Sequence, residues 1–154
     1  MEPSVATTVD LFRALHQQLR LEIADLDQEA LHWTPGPETS CIATLVVHTL
    51  GSEGETLNVV RGIPSDRDRA AEFAPRVWTT AELVERLDRA DAFLAERGAA
   101  ISADDLAATR SHPRRGPASG FHLLLSDYGH AREHLAHIQL TKQLHRQRGS
   151  ATSA

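Results

Sequence analysis

Residues 120–146, GFHLLLSDYGHAREHLAHIQLTKQLHR, decide the fold because they predict one long helix with a single inward-facing stripe. Successive residues of a helix turn by about 100°, so positions three or four apart share a face. The positions on or near this stripe include Leu123, Asp127, Ile138 and Thr141. A long helix with one such face needs other helices to cover it.

Two segments nearer the amino terminus also predict helices. The first runs from about Val5 to Leu26, and its apolar face carries Leu11, Leu15, Leu19 and Ile23. The proline-rich loop HWTPGPETS follows it. The second helix is expected to start near Thr39 or Ser40 and to carry CIATLVVHTLGSEGETLNVVRG. Glycine inside this helix costs about 1 kcal/mol relative to alanine, which weakens the helix without excluding it.

Thr79 and Glu82 have the spacing of a capping box, and the third long helix, which they open, is expected to end around Gly98. Ser102 to Asp105 predicts a second cap before a short turn. Residues 61–78 are expected to be a long connection with one helical turn, and TRSHPRRGPASG an irregular one. The sequence therefore predicts an all-α antiparallel four-helix bundle with long connections after helices 2 and 3.

The composition is that of an ordinary globular chain, with 154 residues, 41% hydrophobic and 24% charged. We expect a single domain over residues 1–148 and a flexible tail over 149–154. A net charge of -5 argues against a nucleic-acid partner, and the basic cluster from Arg110 to Arg115 is interpreted as a solvated loop. No apolar stretch reaches membrane-spanning length and no signal peptide is visible, so we expect no membrane partner and a cytoplasmic location.

Three histidines form a candidate metal site. His130 and His134 lie one helical turn apart on the inward stripe, about 40° from each other. One helix cannot complete a coordination shell, and His48 lies among aliphatic residues of the second helix, where a polar side chain needs a reason. Three imidazoles with an open position are typical of a catalytic ion. Zinc and nickel fit best, and iron and manganese also accept imidazole.

Each of these histidines has a plainer interpretation, since a lone core histidine or an exposed His-x3-His pair is common. His137 is interpreted as a residue that hydrogen-bonds to a metal ligand rather than to the ion. Glu55, which shares the face of His48, is a second candidate for this role. Glu53 lies about 140° around the helix from His48 and is interpreted as an exposed carboxylate. Cys41 is expected to be a small buried residue rather than a ligand. The remaining histidines are interpreted as solvated: His16, His32, His112, His122 and His145.

Over about residues 8 to 147 the chain resembles the DinB-like superfamily of four-helix-bundle metalloproteins, which includes YfiT-type and mycothiol-dependent enzymes. LHWTPGPETSCIATLVVHTLGSE is similar to the family's Trp-Pro loop and first-histidine helix, and GHAREHLAHIQL is similar to its closing motif. The resemblance implies metal ligation by His48, His130 and His134. It places His137 at the Gln or His position that ends the motif.

The resemblance leaves the function open between several classes. The first is a metal-dependent hydrolase or thiol S-transferase that acts on a small molecule or a low-molecular-weight thiol. Arg67 and Arg69 could then bind a substrate carboxylate, although a solvated, internally salt-bridged loop is the plainer interpretation. The second is a non-catalytic metal or small-molecule binding module, connected with stress and homodimeric, and the third is a metal-free scaffold.

Overall fold

The computed structural model describes the backbone of residues 1–152 and the side chains of residues 1–148. The helices are α1 (Pro3–Ile23), α2 (Gln28–His32), α3 (Ile42–Val60), α4 (Arg69–Phe73), α5 (Thr80–Ala100), α6 (Ala103–Ala107) and α7 (Gly120–Thr152), and the strands are β1 (Thr109–His112) and β2 (Gly116–Ser119). Within this part of the chain, no helix has the length and apolarity needed to cross a membrane. The predicted flexible tail, residues 149–154, lies outside the residues with described side chains.

Four long helices build the core, which confirms the predicted all-α bundle. α1 and α3 each pack against both α5 and α7. His16 and Arg20 of α1 meet Asp91 and Asp88 of α5, so these two helices run antiparallel. α3 and α7 also run antiparallel, because His48 and Ser52 meet His130 and Asp127. α1 and α7 run parallel, because Phe12 meets Tyr128 and Glu22 meets Gln139. Such an order needs long connections between helices, as bundles with crossover loops show.

The stripe of α1 is rotated from the predicted one. Leu11 is 38% exposed, whereas Leu15, Leu19 and Ile23 are buried as expected. The buried face continues through Val5, Val9, Phe12 and His16, because α1 is covered by both α5 and α7. A helix in contact with two neighbours buries a wider arc than one apolar row predicts.

The two long connections are more ordered than their composition indicates. α4 is the helical turn predicted between residues 61 and 78. The stretch TRSHPRRGPASG was expected to be irregular, and this prediction is wrong: it forms an antiparallel hairpin in which His112 pairs with Gly116. Gly116 has φ 71°, the left-handed conformation that closes hairpin loops of this length. Strands of four residues are too short to show an alternating pattern.

Both predicted caps are confirmed. Thr79 and Glu82 form a capping box at the start of α5, and Ser102 and Asp105 form one at the start of α6. The Asp105 carboxylate also accepts hydrogen bonds from Arg61 and Arg110. Its backbone and side-chain hydrogen bonds with Ser102, together with the Arg61 guanidinium, lower the pKa of Asp105 to about 2. These contacts tie the end of α3 and the hairpin to α6.

His16 is fully buried, so its interpretation as a solvated residue is wrong. Its Nε2 lies 2.7 Å from Glu53 Oε2, and its Nδ1 lies 2.7 Å from Asp91 Oδ1. Arg20 holds the other Asp91 oxygen at 2.6 Å. This polar network joins three helices across the bundle core, and it also corrects Glu53, which is 2% exposed rather than a surface carboxylate.

We expect His16 to titrate above 6.5 in the folded protein. Burial alone would lower its pKa, but the hydrogen bonds and charges of Glu53 and Asp91 outweigh burial and raise it. A raised pKa means that this group's contribution to the free energy of unfolding is full below 6.5 and is lost as pH rises through the folded value. NMR titration of the imidazole checks this, and Asp91→Asn should lower the pKa. Titration of His16 below 6.5 would contradict the prediction.

Candidate metal centre

The structure brings the three predicted histidines of α3 and α7 together. Their Nε2 atoms face one another: His130 lies 3.4 Å from His48 and 3.0 Å from His134. The three ligand atoms lie within 4.8 Å of one another. Two imidazole nitrogens that share one ion at about 2.0–2.1 Å lie about 3.0 Å apart at right angles and about 3.4 Å apart at the tetrahedral angle. The histidine cluster, defined as His48, His130 and His134, is therefore close enough together to hold one metal ion.

A carboxylate contacts the ring nitrogen of His48 that faces away from the cluster. His48 Nδ1 lies 2.8 Å from Glu72 Oε2, which leaves Nε2 free to face the cluster. Burial alone would raise the pKa of Glu72, but hydrogen bonds from His48 and Arg67 lower it, so Glu72 is ionised at neutral pH. A carboxylate that accepts the second N–H of a histidine is the usual support of a metal ligand, because it sets the tautomer and the ring orientation.

Arg67 completes this support. Its guanidinium donates to Glu72 at 2.7 Å and to Glu55 at 2.8 Å, and its side chain is only 6% exposed. α4 can approach α3 this closely because Gly51 has no side chain. A Cβ at Gly51 would lie 2.0 Å from Glu72 Oε1. The glycine that weakens the predicted helix is thus the position that admits the carboxylate.

The imidazoles of His130 and His134 are neutral at pH 7, because the pKa of each lies below 6.5. Burial lowers the pKa of His134 to about 4, helped by the nearby His130 and His48. Burial also lowers the pKa of His130, against the charge of Asp127. Neutral imidazole is the form that binds a metal ion, so these two rings carry no proton that an ion must displace. His134 Nδ1 is buried and has no hydrogen-bond partner among the described residues.

Cavities of opposite character open on the two sides of the histidine cluster. One, of about 230 Å³, is lined by His48, His130, Ser52 and four arginines: Arg67, Arg69, Arg114 and Arg115. The other, of about 430 Å³, contains His134 and the apolar side chains of Leu45, Leu140 and Leu144. A small molecule can therefore reach the cluster from a basic side or from an apolar side.

The other polar residues named in the sequence analysis lie at different distances from the cluster. His137 is exposed and lines the apolar cavity, with its ring centroid 6.0 Å from that of His134. Glu55 is 7% exposed and reaches the cluster through Arg67. Asp127 is 1% exposed and accepts hydrogen bonds from Ser52 and Arg115. Cys41 is half-buried at the start of α3, with its Sγ 3.3 Å from Thr44 Oγ1.

The basic cluster of the hairpin is not a solvated loop. Arg115 pairs with Asp127 at 2.7 Å, and Arg110 pairs with Asp105 at 3.2 Å. His112, interpreted from the sequence as solvated, is 2% exposed, and its Nε2 lies 3.0 Å from the Arg115 guanidinium. Burial, together with the Arg115 charge, lowers the pKa of His112. The hairpin is thereby attached to the bundle beside the histidine cluster.

Sequence reasoning missed Glu72 altogether. It lies 24 residues after His48, in a connection with many charged residues. No local pattern distinguishes Glu72 from the others. Gly51 was the one sequence feature that pointed to Glu72. It lies one turn from His48 on the same helix, and a glycine inside a helix often marks a place where another segment packs closely.

Glu72→Gln should weaken metal binding about 10- to 100-fold, because a neutral amide supports His48 and Arg67 less well than a carboxylate. Gly51→Ala should weaken it in the same direction, since the new methyl group displaces the flexible end of Glu72 with little cost to the fold. Competition with a chromogenic chelator measures both affinities. Glu133→Gln is the control: this carboxylate also lies near the cluster, 3.9 Å from His130 Nδ1, but it is 74% exposed. An equal loss in all three variants would contradict the prediction.

Comparison with models of known protein families gives a match over most of the chain. The family model of the DinB superfamily matches residues 11–138, which include the whole histidine cluster and the connections around it. No curated protein matches the chain. The match covers most of the chain, and the fold is the all-α bundle that the resemblance implied. The chain belongs to the DinB superfamily.

Proposed function

We propose that this protein binds one divalent metal ion through His48, His130 and His134 and acts as a metal-dependent hydrolase or thiol S-transferase on a small molecule. The observation that carries the proposal is the convergence of three Nε2 atoms, with the tautomer of His48 set by Glu72. Among the described side chains no fourth histidine, cysteine or carboxylate joins the group. Three protein ligands with a position left open are typical of catalytic zinc and related ions.

The cluster supports chemistry on a thiol or on water. A bound divalent ion supplies Lewis acidity, which lowers the pKa of a thiol or water molecule held against it. Glu72 and Arg67 hold His48 in place during this chemistry. Ser52, whose hydroxyl donates to the buried Asp127 at 2.6 Å, provides a polar contact on the floor of the basic cavity. In an S-transfer, the sulfur forms a bond to an electrophilic carbon and the leaving group departs with the electron pair of the broken bond.

Zinc and nickel are the proposed ions, with iron and manganese as further candidates, because imidazole nitrogen suits all four. A low-molecular-weight thiol is the proposed partner substrate. A homodimer and a cytoplasmic location remain predictions of the sequence.

Two measurements on protein purified without an affinity tag test the proposal. Elemental analysis should find about one transition metal ion per chain. A screen of small thiols with small electrophiles, followed by loss of free thiol, should then show turnover that chelation abolishes and metal restores. The absence of any bound metal would refute the proposal that the protein holds a metal ion. Bound metal without turnover, in this screen and in a screen of ester and amide hydrolysis, would favour the binding module instead.

A further inference from the structure

The basic cavity beside the histidine cluster has a surplus of positive charge. Four arginines line it, and no carboxylate does. Arg67 is neutralised by Glu55 and Glu72, and Arg115 is neutralised by Asp127. In the part of the chain with described side chains, Arg69 and Arg114 form no ion pair with a carboxylate. Two guanidinium groups are therefore left to attract an anion, in a chain whose net charge is -5.

Arg69 is exposed, and its guanidinium stacks on an aromatic ring. Its guanidinium carbon lies 4.7 Å from the ring centroid of Phe73, and the Phe73 ring lies 4.9 Å from that of His48. The cation therefore stacks on an aromatic ring that itself packs on the histidine cluster. An arginine ordered in this way loses less side-chain entropy when it binds a ligand.

Arg114 reaches the same cavity from a different element. It lies in the hairpin loop, where its backbone N–H donates to His112 Nδ1 at 3.2 Å. The Arg115–Asp127 ion pair attaches the loop to α7. Two separate connections, the α4 segment and the hairpin, thus each bring one unpaired arginine to the wall that carries His48 and His130.

We propose that Arg69 and Arg114 bind an oxyanion of the substrate, a carboxylate or a phosphate, beside the histidine cluster. This inference rests on the proposed function, because it identifies the substrate class of that site as small anionic molecules. The guanidinium fork matches the two oxygens of a carboxylate or phosphate, and a cavity of about 230 Å³ has room for such a group. The remainder of the substrate then lies next to His130, where the reaction takes place.

Calorimetric titration of metal-free and metal-loaded protein with succinate, succinamide and inorganic phosphate tests the inference. We expect succinate or phosphate to bind both forms and neutral succinamide to bind neither. The anion with the lower dissociation constant shows whether the site prefers a carboxylate or a phosphate. Arg69→Gln and Arg114→Gln should each weaken binding about tenfold, as the loss of a charge-assisted contact does. Arg13→Gln, on α1 at 50% side-chain exposure and outside the cavity, is the matched control and should leave the affinity unchanged.

The inference and the proposed metal site fail in different ways. Metal content, measured by elemental analysis, should be the same in both arginine variants as in the wild type. Arginine-dependent anion binding by a protein that takes up no metal, as measured by elemental analysis after incubation with metal, would refute the metal site and support the anion site. Anion binding only to the loaded protein, unchanged by both arginine variants, would overturn the inference, since the anion then contacts the metal alone. No anion binding at all, or an equal loss in Arg13→Gln, would overturn it as well.

Discussion

His130→Ala should abolish stable metal binding, with an affinity loss of more than about 100-fold. Loss of an outer support of a metal ligand costs about 10- to 100-fold, and loss of a ligand itself costs more. His130 is the central member of the cluster, because its Nε2 approaches both other Nε2 atoms. Elemental analysis after dialysis against metal-free buffer measures the effect. His48→Ala and His134→Ala should show the same loss.

His122→Ala is the matched control for these variants. It lies on the same helix and is exposed, two turns before His130, so its removal should leave the metal content unchanged. Melting curves of all four variants separate loss of the site from loss of the fold. Full metal content in His130→Ala, with an unchanged melting temperature, would refute the assignment of the site.

Metal removal should lower the melting temperature by about 10 °C and leave the helix content intact. A ligand present at 1,000 times its dissociation constant stabilises the folded state by about 4 kcal/mol, and about 1 kcal/mol shifts the melting temperature of a chain this long by about 2–4 °C. The ion would link α3 to α7. The bundle should survive without it because its core does not depend on the histidines: Phe12, Leu87 and Leu123 are each at most 1% exposed.

Circular dichroism before and after chelation, with readdition of zinc or nickel, measures both quantities. His134→Ala treated in the same way is the control and should show no shift on chelation. Unfolding of the wild type on chelation would mean that the ion is a structural element of the core. An unchanged melting temperature at saturating metal would mean that the folded state gains nothing from the cluster.

The two long connections supply charged side chains next to the histidine cluster. α4 supplies Glu72 behind His48, and the hairpin supplies the Arg115 contact to Asp127. Both segments pack on α3 beside the cluster. In this fold the helices place the histidines, and the connections determine the charges around them. Substrate specificity should therefore change with these segments while the histidines stay the same.

Much of the bundle followed from sequence alone. Helical periodicity indicated the four long helices, and the Thr79–Glu82 and Ser102–Asp105 caps marked two starts that the structure confirms. His130 and His134 could be paired because both lie on one helix, where a spacing of four places two side chains on one face. Such local geometry depends on the chain's own backbone and needs no knowledge of the rest of the fold.

Only the tertiary structure decided what surrounds the cluster. The positions of Glu72, Arg69 and Arg114 depend on how two connections fold back over α3, and no periodic pattern encodes that path. The burial of His16 depends on α3 and α5 covering it, since Glu53 and Asp91 provide its partners from distant positions in the sequence. The sequence by itself determined the helices and a histidine pair. Long-range packing of charged side chains determined the carboxylate support and the arginines beside it, because the partners of a buried charge are brought together only by folding.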